Sequence, residues 1–181
     1  MGNKKRELEN KLFQQSGMAR KWQRGDEMKS INISNLKTPQ RRIVFYNFTK
    51  LSGYNFSLRI LQELKQRFGN IAAGIKDSSG DWDNMLSITK SVPDFMVYSG
   101  TETFLLDILR QGGAGCIPAS ANVLSPECQL VYQAWKNNQL DSAAQAQKKL
   151  SVLRKALESY PFVAELKGLL AEHSGSEDWK Q

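Results

Sequence analysis

The stretch "NIAAGIKDSSGDWDN", Asn70 to Asn84, carries an apolar run that ends on Lys76 and passes at once into an acidic, glycine-bearing turn. An apolar run bounded by turn signals reads as a strand buried on both faces. Lysine is among the residues least often found fully buried. Either the strand ends at Ile75 and Lys76 points into solvent, or the chain places an amine at a strand end for a purpose. Neighbouring segments decide what kind of strand this is.

From residue 43 onward, apolar runs alternate with amphipathic segments: "IVFYN" (Ile43–Asn47), "IAAGIK" (Ile71–Lys76), "FMVYSG" (Phe95–Gly100) and "GCIPA" (Gly115–Ala119). That is the pattern of parallel strands joined by crossover helices. "SLRILQELKQRF" sets Leu58, Leu61, Leu64 and Phe68 on one helical face with Ser57 as its cap. "TETFLLDILRQGG" opens on a capping Thr101, puts Glu102 against the positive end of the helix dipole, and stops at Gly112. "NVLSPECQLVYQAWKNN" offers Ser125 as cap and Pro126 at the first helical position. Beyond residue 137 the pattern is helical only, with a break at Tyr160–Pro161. The expected fold is α/β: the last four β/α units of a (β/α)8 barrel over residues 43–137, followed by a helical segment over 138–181. In such barrels the polar groups that do chemistry sit at the carboxyl ends of strands. Tyr46, Lys76 and Ser99–Gly100 occupy those ends.

The formal net charge of +7 lies in residues 1–42, which hold 11 Lys/Arg against 4 Asp/Glu; residues 43–181 hold 14 of each. This first segment has no continuous apolar core for a membrane span or signal peptide, so a cytoplasmic chain without membrane contact is expected. Met1-Gly2 invites an acylation reading, but Arg6 stands where that pattern needs Ser or Thr. The basic residues with Phe13 and Trp22 among them could grip phosphates. A solvated, poorly ordered arm is the expectation, with nucleic-acid binding as the alternative. Two cysteines, Cys116 and Cys128, and one histidine, His173, exclude the usual zinc quartets and a His-based triad. No metal site is expected, and Cys116 reads as a buried structural thiol.

"FYNFTKLSGYNFS", "GIKDSSGDWDN", "YSGTE" and "LRQGGAGCIPASANV" resemble four successive landmarks of the dihydrodipicolinate synthase and N-acetylneuraminate lyase family of Schiff-base aldolases, in that family's order and at about its spacing. The resemblance covers about Arg42 to Trp179. It implies that Lys76 is the Schiff-base lysine, Tyr46 the catalytic tyrosine, and Gly100, Thr101, Glu102 and Thr103 the substrate-contacting loop after the seventh strand. It implies a 2-oxo acid such as pyruvate as substrate and no cofactor. The chemistry agrees: the attacking amine must be neutral, and desolvation in a barrel interior favours that form. The phenol of Tyr46 would carry protons to and from the carbinolamine, although a core aromatic is what an isolated strand tyrosine suggests. Ser78 could hold a substrate hydroxyl.

Two departures from the family pattern matter. The family's Tyr-Asn-(Ile/Val)-Pro is Tyr46-Asn47-Phe48-Thr49 here, and Leu51 stands where dihydrodipicolinate synthases carry an arginine for the second substrate's carboxylate. An aldolase or lyase of a hydroxylated 2-oxo acid is therefore expected over dihydrodipicolinate synthesis. The Gly-Thr-Thr-Gly-Glu stretch that binds the pyruvate carboxylate has no counterpart in residues 1–42. The chain is expected to be the carboxyl-terminal part of such an enzyme, and to need the missing barrel half or a second copy of itself. A non-catalytic half-barrel that binds a protein through its sheet edges is the alternative.

Overall fold

The computed structural model describes residues 42–158 and 161–180. The basic arm, with Phe13 and Trp22, and Tyr160 at the helix break lie outside the described residues. Four strands, β1 (Ile43–Asn47), β2 (Ala72–Asp77), β3 (Met96–Ser99) and β4 (Gly115–Cys116), form one parallel sheet in the order β1-β2-β3-β4. A turn of helix α1 (Thr49–Ser52) and α2 (Leu58–Phe68) connect β1 to β2, and α3 (Trp82–Ser91) connects β2 to β3. A 3-10 turn (Glu102–Phe104) and α4 (Leu105–Arg110) lead to β4; α5 (Ala121–Lys136), α6 (Leu140–Glu158) and α7 (Phe162–Ser174) follow.

Local sequence explains the boundaries. Ser57 accepts a hydrogen bond from the Ile60 N–H (3.4 Å) at the start of α2, and Asp81 accepts one from Asn84 N–H (3.0 Å) at the start of α3. Each satisfies one of the donors a helix start leaves free. Gly112, at φ +90°, turns the chain after α4 into a conformation that side chains disfavour. Three expectations shift. β4 holds only Gly115–Cys116 of the expected Gly115–Ala119 run. β2 begins at Ala72, after a 3-10 turn over Gly69–Ile71, and runs one residue past Lys76 to Asp77. Helix α5 begins at Ala121, before the expected Ser125–Pro126 start, but is broken at Leu124 (φ −110°, ψ 17°). The ring of Pro126 conflicts with continuous helix upstream, so the break falls where the proline dictates and an extra turn precedes it.

Register sets the two faces of the sheet. Tyr46 pairs with Lys76, Lys76 with Tyr98, and Tyr98 with Gly115; one residue on, Asn47, Asp77, Ser99 and Cys116 form the next row. Partners across a parallel pair share a face and successive residues alternate. Ile75 and Val97 belong to the helix-covered face and pack with Leu61, Met85, Ile88 and Ile108, with Phe45 against them. Val44 (40 % exposed) and Tyr46 (50 %) belong to the opposite face. A second apolar cluster joins α4, α5, α6 and α7 through Leu105, Leu109, Val131, Leu150 and Leu166. Strands β1 and β4 are the two ends of the sheet.

Candidate functional site

Lys76 lies near the carboxyl end of β2, on the open face, between two tyrosines. The register places Tyr46 on one side and Tyr98 on the other. The Lys76 Nζ stands 4.1 Å from the centroid of the Tyr46 ring, over its face, where the ring presents its negative side. Tyr98 donates its hydroxyl to Met96 Sδ at 3.3 Å, on the same strand. Tyr98 was not foreseen. Its signal is positional: once β2 and β3 are aligned, the residue opposite Lys76 is fixed.

Behind this row, on the helix side, lies a buried polar row that sequence reading also missed. Asn47, Asp77 and Ser99 are almost wholly buried. The Asp77 Oδ2 accepts from Asn47 Nδ2 (3.0 Å) and Asn84 Nδ2 (2.9 Å), and its Oδ1 from the Ser79 N–H (2.8 Å) and hydroxyl. Asn47 also donates to Asn55 Oδ1 (2.7 Å). A buried carboxylate survives only if its lone pairs are filled, and here neutral donors from three segments fill them. Backbone bonds join the same ends: Ser78 N–H donates to the Asn47 carbonyl (2.8 Å) and Gly100 N–H to the Asp77 carbonyl (2.6 Å). The two residues after Lys76 are thus fixed to the ends of the neighbouring strands.

The loop after β3 starts against this row. A Cβ on Gly100 would lie 2.1 Å from Ser78 Oγ and 2.8 Å from Ser78 Cα, so only glycine lets the two loops meet. Ser99 Oγ donates to the Thr101 carbonyl (2.8 Å) and accepts from Thr101 N–H (3.1 Å). The hydroxyls of Thr101 and Thr103 are 3.0 Å apart, and Thr101 Oγ1 accepts from Thr103 N–H (3.3 Å), as its capping role requires. Lys76, Tyr46, Ser78 and Gly100 therefore meet at one end of the sheet. Glu102 does not present its carboxylate there. Its side chain is fully buried, accepts from Ser120 Oγ, and lies 3.6 Å from Arg154 Nη1 of α6.

Cys116 and Cys128 are half-buried and unpaired by a disulfide. The Cys116 thiol is pushed up by its hydrogen bond with Cys128 and by burial, while Cys128 is lowered by the same hydrogen bond. Among the described residues no cluster of His, Cys, Asp or Glu could hold a metal ion, and no helix is long and apolar enough to cross a membrane.

The chain matches the model of the dihydrodipicolinate synthetase family over residues 32–176. It is 36 % identical over 129 residues to a 4-hydroxy-tetrahydrodipicolinate synthase of Listeria monocytogenes, across 71 % of this chain and 43 % of the relative. It is 39 % identical over 132 residues to the Escherichia coli K12 protein named "Probable 2-dehydro-3-deoxy-D-pentonate aldolase", across 69 % of this chain and 43 % of that one. Among solved structures it is similar to YagE, a prophage protein of the dihydrodipicolinic acid synthase family from E. coli K12 in complex with pyruvate. That similarity has a TM-score of 0.65 and 27 % identity over 70 % of this chain and 44 % of that one. The chain spans about two fifths of the length of these curated relatives, and its four-stranded parallel sheet is a partial barrel of their type. With the family model matched across most of its length, this chain belongs to the dihydrodipicolinate synthetase family.

Proposed function

We propose that this chain carries the Schiff-base part of a lyase or aldolase acting on pyruvate or a related 2-oxo acid. The observation that carries the reading is the single register row in which Lys76 stands between Tyr46 and Tyr98 on the open face, at the strand end. The neutral amine of Lys76 adds to the keto carbon, and loss of water from the carbinolamine gives an iminium ion. That ion draws electrons from the adjacent carbon, where a carbon–carbon bond forms or breaks through an enamine. Tyr46, whose ring face meets the Lys76 amine, is the phenol assigned to carry protons to and from the carbinolamine. Ser78 and the Gly100–Thr103 loop receive the hydroxylated remainder of the substrate. Leu51, 74 % exposed, offers no cation for a second carboxylate, which favours a hydroxylated 2-oxo acid and agrees with the kinship to a protein named as an aldolase.

The site is open on one side. Val44, Tyr46 and Ile117 are exposed, and β1 and β4 each pair on one side only among the described strands. We infer that further strands, from the rest of a barrel or from a second copy, cover this face, and that the chain alone turns over weakly. The same exposed face and edges favour the second reading, a non-catalytic half-barrel that binds a protein partner. The two unpaired thiols fit a cytoplasmic setting.

Enamine chemistry is tested by following the methyl protons of pyruvate by NMR in deuterated buffer. The reading expects exchange catalysed by the chain and lost in Lys76→Ala. Equal exchange by both proteins, or none above the buffer rate, favours the non-catalytic reading.

A further inference from the structure

The helices beyond the sheet reach back to the loop at its mouth. Arg154, on α6, donates from Nη1 to Ser120 Oγ (2.9 Å), and Ser120, fully buried, donates onward to Glu102 Oε1. The same Nη1 lies 3.6 Å from Glu102 Oε2, which has no hydrogen bond of its own. Arg154 is itself fixed from two directions: Nε donates to Glu158 Oε1 (2.8 Å), and the guanidinium lies 4.2 Å from the centroid of the Phe162 ring. Two turns back, Gln147 clasps the loop backbone. Its Oε1 accepts from Leu106 N–H (3.0 Å), and its Nε2 donates to the carbonyls of Glu102 (3.0 Å) and Thr103 (3.4 Å).

We propose that α6 is part of the machinery of the site: Arg154 is a positioning residue that holds the Gly100–Thr103 loop through Glu102 and Ser120, and Glu102 is its buried counter-ion, not a substrate ligand. This rests on the reading of Gly100–Thr103 as the substrate-contacting loop. The physical argument is a choice between two partners. A carboxylate turned out to a substrate would leave the mostly buried Arg154 guanidinium with only the half-exposed Glu158 as ionic partner and take the acceptor from the buried Ser120 hydroxyl, and the loss of a buried counter-ion is unfavourable. The arginine therefore keeps Glu102 inward. The hydroxyls of Thr101 and Thr103 are then the loop's polar side-chain groups left for a substrate. They are uncharged and suit hydroxyl groups.

Arg154→Met and Arg154→Lys in the full chain test this. Amide exchange at residues 100–104, read by mass spectrometry, should quicken by about tenfold or more in Arg154→Met while residues 72–77 keep their protection. Arg154→Lys, which keeps the charge, should recover most of the protection. Borohydride trapping on Lys76 supplies the functional readout: the yield with a hydroxylated six-carbon 2-oxo acid should fall about tenfold further than the yield with pyruvate in Arg154→Met. If Arg154→Met does not fold, Gln147→Met removes the backbone clasp and should show the same exchange pattern. Unaltered exchange at residues 100–104, or a parallel fall for both acids, overturns the proposal. If the unaltered chain traps neither acid, the Schiff-base reading fails and the exchange result alone judges the positioning role.

Discussion

Replacing Asp77 by asparagine keeps the side chain's shape and removes its charge, which isolates what the buried carboxylate contributes. In the native chain its two oxygens accept four hydrogen bonds, two from the carboxamides of Asn47 and Asn84 and two from the backbone and hydroxyl of Ser79. An asparagine has one acceptor oxygen, and its NH2 group must face donors whichever way it is turned. Turned toward Ser79, the hydroxyl can rotate and accept, but the Ser79 N–H loses its partner. The two bonds left on the amide oxygen, from Asn47 and Asn84, weaken because the acceptor is no longer ionised. An orphaned donor costs about 1–3 kcal/mol, and the exchange of charged for neutral acceptors adds to it. The expected loss is about 2–3 kcal/mol for Asp77→Asn, and about 4 kcal/mol for Asp77→Ala, which strands the donors on both sides. Urea unfolding followed by tryptophan fluorescence reads this as a midpoint lowered by about 1 M at a slope near 2 kcal/mol per M. A midpoint for Asp77→Asn within about 0.2 M of the unaltered chain, less than ~0.5 kcal/mol at that slope, would refute the claim that this carboxylate ties the end of β1 and the start of α3 to the end of β2.

Other substitutions probe neighbouring links. Gly100→Ala drives a methyl group into Ser78; thermal melting should show about 1–3 kcal/mol of destabilisation, relieved in part by Ser78→Gly. Ser57→Ala removes the cap of α2 and should cost about 1 kcal/mol in the same assay. If the chain, alone or completed, is a lyase, Tyr46→Phe should lower turnover by about two to four orders of magnitude with little change in melting. Sedimentation at micromolar concentration should show dimers or larger species, because among the described strands β1 and β4 each pair on one side only; a single stable monomer would show that the edges are covered from within the chain.

The order of strands and helices could be read from the sequence because apolar runs bounded by turn formers alternate with amphipathic segments, and caps such as Ser57 and Thr101 mark where helical turns begin. The position of Lys76 followed from the same pattern. What surrounds it did not. Tyr98 becomes its neighbour only through the β2–β3 register, and the buried row of Asn47, Asp77 and Ser99 is a property of three aligned strand ends. Glu102 shows the limit most clearly. Its place in the first turn after β3 suits the helix dipole and the mouth alike, and the choice is made by Arg154, far along the chain on α6. The start of α5 moved for a local reason, since a proline near a helix start permits a preceding turn only at the expense of a break.

The central claim is that Lys76 forms a Schiff base with a 2-oxo acid. It is tested most directly by treating the full chain with pyruvate and borohydride and locating the modified lysine in its peptides by mass spectrometry. The account predicts one reduced pyruvate adduct, on Lys76 alone, that saturates with pyruvate and disappears in Lys76→Ala. An adduct spread over the surface lysines, one that persists in Lys76→Ala, or none at saturating pyruvate would contradict it.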